Sequence, residues 1–269
     1  MAFRHLRAVV FDWAGTVVDY GSLAPMGAFV STFAEFGVEI TIAEARIPMG
    51  LAKRPHVAAL LAMPRIAAQW EGHHGLPPDE ADIDAVYKAF VPRNVVSAGQ
   101  HAELIPGTAE LARALHEEGL RIGTTTGYTR EIIAPVLPLA AGQGFTCEAM
   151  ACAGDVPQGR PSPFPTWKVL ADLGVYPAWR AVKIDDTEVG IGEGLNAGAW
   201  TVGVTMSGNL LGLPRTEAEA LCATERAARR ADATARMRRA GAHYTIDSVA
   251  SLLPILAEID GRLERGERP

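Results

Sequence analysis

The sequence predicts an α/β fold: a parallel sheet with crossover helices, interrupted once by an all-helical insertion. Three observations carry this expectation. Short apolar runs recur along the chain, each closed by small or polar residues. Helical periodicity fills the intervals between the later runs, and strand alternating with helix at such spacing is the pattern of a parallel sheet. The stretch 20–99 instead holds helical periodicity and no convincing strand. A length of 269 residues accommodates one large domain carrying such an insertion.

The first run, 7–11, leads into Asp12 and then Gly15 and Thr16. In a buried parallel sheet this is a first strand whose carboxyl end presents Asp12 to a crevice. Further strands are predicted at 120–124, 181–184 and 200–204, and core helices at 108–118, 129–140, 163–173 and 188–197. Pro106-Gly107 and Gly119 punctuate the first of these helices. Inside the insertion, helices are predicted at 26–36, 54–62 and 81–96. Entering after the first strand, they would lie over the carboxyl ends of the strands, where ligands bind in such sheets. One long polar helix is predicted at 216–240. Its glutamates come early and its arginines late (Arg226, Arg229, Arg230, Arg236, Arg238, Arg239), an order that follows the helix dipole.

Composition narrows the function classes. Hydrophobic residues make up 48% and charged residues 21%, which excludes wholesale disorder. A net charge of −6 supplies no basic field for nucleic acid or anionic lipid. Three cysteines make no disulfide framework and suit a reducing cytoplasm. No apolar run approaches the roughly 18 residues of a membrane span, and Asp12 cuts the N-terminal run too short for a signal peptide. Cys147 and Cys152 lack a partner cluster for zinc, and His73-His74 would face different sides of a helix.

Four separated segments converge if the sheet forms as expected: Asp12-Trp-Ala-Gly-Thr16, Thr124-Thr-Thr-Gly127, Arg160-Pro-Ser-Pro163 and Asp185-Asp186. Phe11-Asp12 with Gly15-Thr16 resembles the opening motif of the haloacid dehalogenase superfamily, whose first Asp is the nucleophile. Thr126-Gly127 resembles its second motif, which grips phosphoryl oxygens, and Asp186 its magnesium-binding acidic motif. Arg160 stands where most members carry a lysine. Within the superfamily, Met49-Gly-Leu-Ala-Lys53-Arg-Pro-His56, Thr125-Thr-Gly-Tyr-Thr-Arg130 and Asn196-Ala-Gly-Ala-Trp-Thr-Val-Gly203 resemble the phosphonatases, the phosphonoacetaldehyde hydrolase family. The likeness runs from about residue 5 to about residue 260. It implies a Rossmann-like core at 1–19 and 100–269, a helical cap at 20–99, site positions at Met49 and Tyr128, and a homodimer joined partly through cap helices.

The chemistry is readable from the residues beside that likeness. Two carboxylates and a phosphate cradle suit attack on phosphorus with Mg2+ neutralising charge. Asp12, Asp186 and the carbonyl of Ala14 would supply metal oxygens. Thr126 and the Gly127 amide, at a helix N-terminus, and the guanidinium of Arg160, held by Pro161, Pro163 and Pro165, would hold phosphoryl oxygens. Ala14 is informative. Ester-cleaving members usually place an Asp there to protonate an alkoxide, and a methyl group is no acid. A phosphonate fits, because its leaving group is carbon. The carbanion then needs an electron sink, and an imine between an aldehyde and Lys53 supplies one. An ordinary lysine is neutral in only a few molecules per ten thousand at pH 7, so burial and a nearby cation, with Arg54 and His56 close in sequence, would have to lower its pKa. His56, one turn beyond, is expected in proton transfer. Gly190 stands where the superfamily often has another Asp, a gap that Asp185, Glu188 or water would fill. The expected reaction is hydrolysis of phosphonoacetaldehyde to acetaldehyde and phosphate, requiring the cap to close and exclude water. Against it stand an ester phosphatase or phosphomutase, a dehalogenase, and a non-catalytic phosphate or phosphonate sensor.

Overall fold

The architecture, taken from a computed structural model, is described for residues 3–269. Its first strand, β1 (Ala8–Phe11), is buried throughout, as an apolar run flanked on both edges must be. It is joined by β2 (Arg121–Thr125), β3 (Ala149–Ala151), β4 (Ala181–Asp185), β5 (Trp200–Val204) and β6 (Tyr244–Ile246). The spatial order is β3-β2-β1-β4-β5-β6, with every pair parallel. Because β1 pairs with β2 on one side and β4 on the other, the order reverses at β1, and the crevice of such a sheet opens there. Phe11 is in register with Thr124 and with Ile184, so Asp12 lies level with Thr125 and Asp185.

Six helices run between β1 and β2, and the first five form the insertion. These are α1 (Ala24–Glu35), α2 (Ile42–Arg46), α3 (Lys53–Leu61), α4 (Pro64–His74) and α5 (Glu80–Gln100). They enclose an apolar cluster of their own, with Phe29, Phe33, Leu60, Trp70 and Phe90 buried against one another. A separate cluster built on Val9, Phe11, Ile122, Ile184, Val202 and Leu256 joins the sheet to α6 (Thr108–Glu117), α7 (Arg130–Ile133), α8 (Val136–Gly142) and the C-terminal α13 (Leu252–Glu264). The connections α9 (Phe164–Asp172), α10 (Glu188–Ala197), α11 (Arg215–Ala220) and α12 (Ala223–Arg239) complete the layers. Among the described residues, no helix is long and apolar enough to cross a membrane.

Two expected helices are each broken in two. The helix over 129–140 stops before Pro135, which has no amide hydrogen to continue the ladder, and resumes as α8. The helix over 216–240 breaks at Leu221 and Cys222, both extended. Here the Cys222 thiol caps α12, and Arg226 Nη2 donates to the Ala218 and Glu219 carbonyls that end α11. The elements absent from the expectation are β3, β6, α2, α4 and α13. The two strands have three residues each, too few to show alternation.

Candidate active site

The floor of the site is built at the carboxyl ends of β1, β2 and β4. Asp12 follows β1 with its amide donating to Ile184 O at 2.9 Å. The chain then turns sharply at Gly15, where φ is +86° and a Cβ would come within 2.1 Å of Asp186. Glycine is required there on both counts. Side-chain oxygens of Asp12, Asp185 and Asp186 lie within 4.8 Å of one another, all buried.

These carboxylates do not share one environment. Asp185 is fully engaged: Lys183 Nζ is 2.7 Å away, and Thr187 donates from its amide at 3.0 Å and its hydroxyl at 2.7 Å. Burial pushes its pKa up, but Lys183 and Arg160 overcome this and hold it below the ordinary range. Among the described residues Asp186 accepts only the Asn209 amide, at 2.7 Å, and burial with the charges of Asp12 and Asp185 drives its pKa well up. Asp12 is raised to about 6, by burial and Asp185 against the pull of Arg160.

Arg160 ties the floor together. Its Nη1 is 2.8 Å from Asp12 and 3.5 Å from Asp185, its Nε is 2.7 Å from Glu193, and its Nη2 donates to Thr125 O at 2.6 Å. Glu193, on α10, also accepts from the hydroxyls of Thr166 and Thr125. Four buried carboxylates (Asp12, Asp185, Asp186, Glu193) gather around only two cations in direct contact (Arg160, Lys183), and the raised pKa values of Asp12 and Asp186 are the mark of that crowding of negative charge. Buried charge is costly unless paired. A divalent, oxygen-seeking cation fits that excess and that donor set.

The roof comes from the turn between α2 and α3. Met49, Gly50 and Leu51 press onto the core: a Cβ on Gly127 would lie 2.7 Å from Leu51 O. Lys53 opens α3, where the positive end of the helix dipole disfavours an ammonium. Its Nζ lies 4.0 Å from Met49 Sδ, 5.1 Å from the Tyr128 ring centroid and 5.7 Å from that of Phe29. Among the described residues it makes no ion pair. Burial, opposed by Asp12 and reinforced by Arg160, lowers its pKa to about 8. Arg54 contributes nothing, being paired on the outer surface with Glu80 at 2.7 Å and Asp84 at 2.6 Å.

One cavity of about 20 Å³ lies between roof and floor, room for little more than a water molecule. Nine residues singled out from the sequence line it: Asp12, Ala14, Met49, Lys53, Thr126, Gly127, Tyr128, Arg160 and Asp186. The Tyr128 hydroxyl is buried and has no partner. His56 does not reach the cavity. Its ring stacks on Phe29 at 4.1 Å and its Nε2 is 2.8 Å from Ala45 O. Burial, then Lys53, holds it neutral by pushing its pKa well down. Glu188 also departs from expectation, pairing outward with Arg236 at 2.7 Å. Gly127 precedes the short α7 by three residues and is not at its N-terminus. The absent side chain at Gly190 has a steric cause, since a Cβ there would lie 1.9 Å from the Asp185 carboxylate.

Glu193, Lys183 and Asn209 were not legible as site residues. The first two carry a signal in hindsight: a glutamate between glycines in an apolar helix, and a lysine inside an apolar strand, both need buried partners. Asn209 sits in a loop and has no such signal.

The chain that builds this site has known relatives. Residues 6–198 match the haloacid dehalogenase-like hydrolase family, and the chain belongs to it. Two relatives bearing the name phosphonoacetaldehyde hydrolase, from Paraburkholderia phytofirmans and Paraburkholderia xenovorans, are each 58% identical over 99% of this chain and 100% of theirs. The crystal structure of a phosphonoacetaldehyde hydrolase-like protein from Oleispira antarctica superposes with a TM-score of 0.98 at 42% identity, covering 100% of this chain and 98% of that one. Likeness over whole chains places this hydrolase in their branch of the family.

Proposed function

We propose that this chain hydrolyses the C–P bond of phosphonoacetaldehyde, giving acetaldehyde and phosphate. The observation that carries this reading is Lys53, a buried and unpaired amine, in one cavity with Asp12 and with a methyl group at Ala14. With a pKa of about 8, roughly one amine in ten is neutral at pH 7, against a few in ten thousand for an ordinary lysine. The names of the whole-chain relatives support the same substrate.

In the proposed sequence, neutral Lys53 adds to the aldehyde carbon, and the carbinolamine takes up a proton from solvent and loses water to give a protonated imine. An Asp12 oxygen attacks phosphorus while Arg160, Thr126 and the Gly127 amide hold phosphoryl oxygens. As the C–P bond breaks, its electron pair moves into the imine to give an enamine on Lys53. The enamine takes a proton at carbon, water releases acetaldehyde, and a second water cleaves the Asp12 acyl phosphate. His56 stands outside this sequence of steps: its ring packs on Phe29 with Nε2 on Ala45 O, and it supports the roof beside Lys53 without touching the reacting atoms. Asp12, Asp186 and the Ala14 carbonyl would hold Mg2+, which would neutralise charge on the transferring phosphoryl group. The cavity is smaller than the substrate, so residues 20–99 act as a cap that lifts to admit it and closes to exclude water.

The homodimer belongs to the same reading, with the exposed Val96 in the groove between α1 and α5 as its contact; sedimentation equilibrium tests it. Three free cysteines suit a cytoplasmic setting. The deciding experiment is borohydride reduction in the presence of phosphonoacetaldehyde, followed by peptide mapping. A two-carbon adduct on Lys53 is expected; phosphate release without any adduct would remove the imine step.

A further inference from the structure

Beside the turn at Met49–Leu51, the cap also meets the core through a half-buried arginine that the mechanism does not use. Arg46 ends α2, and its guanidinium donates four hydrogen bonds. Nη1 reaches Gly21 O at 3.0 Å, Ser22 O at 3.3 Å and Asn209 Oδ1 at 3.1 Å, and Nη2 reaches Gly212 O at 3.1 Å. Gly21 and Ser22 lie on the turn that leads from the core into α1. Asn209 and Gly212 lie on the core loop that follows β5.

That loop reaches the acidic floor. The Asn209 amide donates to Asp186 at 2.7 Å, and Gly208 backs the same side chain so closely that a Cβ would fall 2.3 Å from Asp186 Cβ. Ser207 donates to Gly15 O at 3.1 Å, in the turn after the nucleophile. The loop contains no regular element; its start is tied to the end of β6 through Thr205 and Met206 and its middle to Gly21 through Ser207, and Arg46 is the cap side chain that grips it at Asn209 and Gly212. At Gly212 the arginine stem lies where a side chain would stand, its Nε 2.9 Å from the position of a Cβ. A planar, permanently charged fork satisfying four carbonyl-type acceptors is a rigid clamp, and lysine cannot reproduce it.

We propose that Arg46 is a positioning residue: with the cap down, it clamps the loop after β5 so that Asn209 holds Asp186 in its metal-binding orientation. Cap closure and the setting of the acidic floor are then one event. The inference rests on the reading of 20–99 as a moving cap. Partners behind metal-binding carboxylates are worth about 10- to 100-fold in metal affinity, and coupling between sites is of similar size.

The test is direct Mg2+ binding by calorimetry on the intact protein, with thermal melts to establish folding. Arg46→Met is expected to weaken Mg2+ binding about tenfold and to lower kcat with little change in KM for phosphonoacetaldehyde, because Arg46 does not line the cavity. Arg46→Lys should recover part of that affinity. Asn209→Ala should weaken binding in the same direction, and the double variant Arg46→Met/Asn209→Ala should be no weaker than Arg46→Met alone. Binding within about twofold of wild type in both single variants, or full additivity in the double, overturns the proposal. If Arg46→Met does not fold, Arg46→Lys and Asn209→Ala carry the test. Wild type that binds Mg2+ but releases no phosphate from phosphonoacetaldehyde would instead count against the function proposed above.

Discussion

The floor and the roof of the cavity handle charge in opposite ways. On the floor, Arg160 and Lys183 are each in contact with carboxylates, and Asp185 and Glu193 are satisfied on several sides. In the roof, Lys53 is just as buried but faces only sulfur and aromatic rings. Paired charges hold the shape of the floor, whereas a buried amine without a partner holds its proton less tightly than an ordinary lysine. Under the proposed function, that difference separates a scaffold for the phosphoryl group from the amine that forms the imine.

That contrast is broken most sharply at its two reacting groups. Asp12→Ala and Lys53→Arg are each expected to reduce phosphate release from phosphonoacetaldehyde by at least about a thousandfold. Arginine keeps the charge and bulk of the roof residue while losing imine chemistry, so comparable activity in Lys53→Arg would reverse the assignment of roles. Next comes a scaffold charge: Lys183→Met strands the buried Asp185 and should cost about 3 kcal/mol, read from the urea midpoint.

A matching substitution in the roof should act in the other direction. A lysine held near 8 rather than at 10.5 costs the fold about 3 kcal/mol at pH 7. The native state binds fewer protons than the unfolded chain between those values, so stability from this group rises with pH across that window. Lys53→Met is therefore expected to stabilise the protein at pH 7, with the gain shrinking as pH climbs from 8 toward 10.5. A loss of stability at pH 7 would show that the amine is compensated after all. In the intact enzyme, borohydride trapping should speed up as pH rises through about 8, following the neutral amine. The smallest effect is reserved for the outer face. Arg54→Ala removes only exposed pairs with Glu80 and Asp84 and should leave trapping and phosphate release unchanged.

Some elements were readable because their signal is local. β1, β5 and α10 begin and end where apolar runs and flanking residues say they should. α2 was missed, because it is too short to show periodicity, although its capping box, Thr41 with Glu44, is a local start signal. The break at Pro135 is equally local. The break at Leu221 is not, because the carbonyls it frees are satisfied by Arg226 from the next helix.

The motif residues, their chemical types and their common direction at strand ends were properties of the sequence. Such properties need only local pattern and the rule that parallel strands open their crevice at one end. Charge states and contacts were decided by the fold. Which aspartate is engaged, how far the Lys53 pKa falls, why Gly190 has no side chain and where His56 points all depend on groups distant in the chain. Desolvation and ion pairing act through space over a few ångströms, and no spacing along the chain encodes that distance.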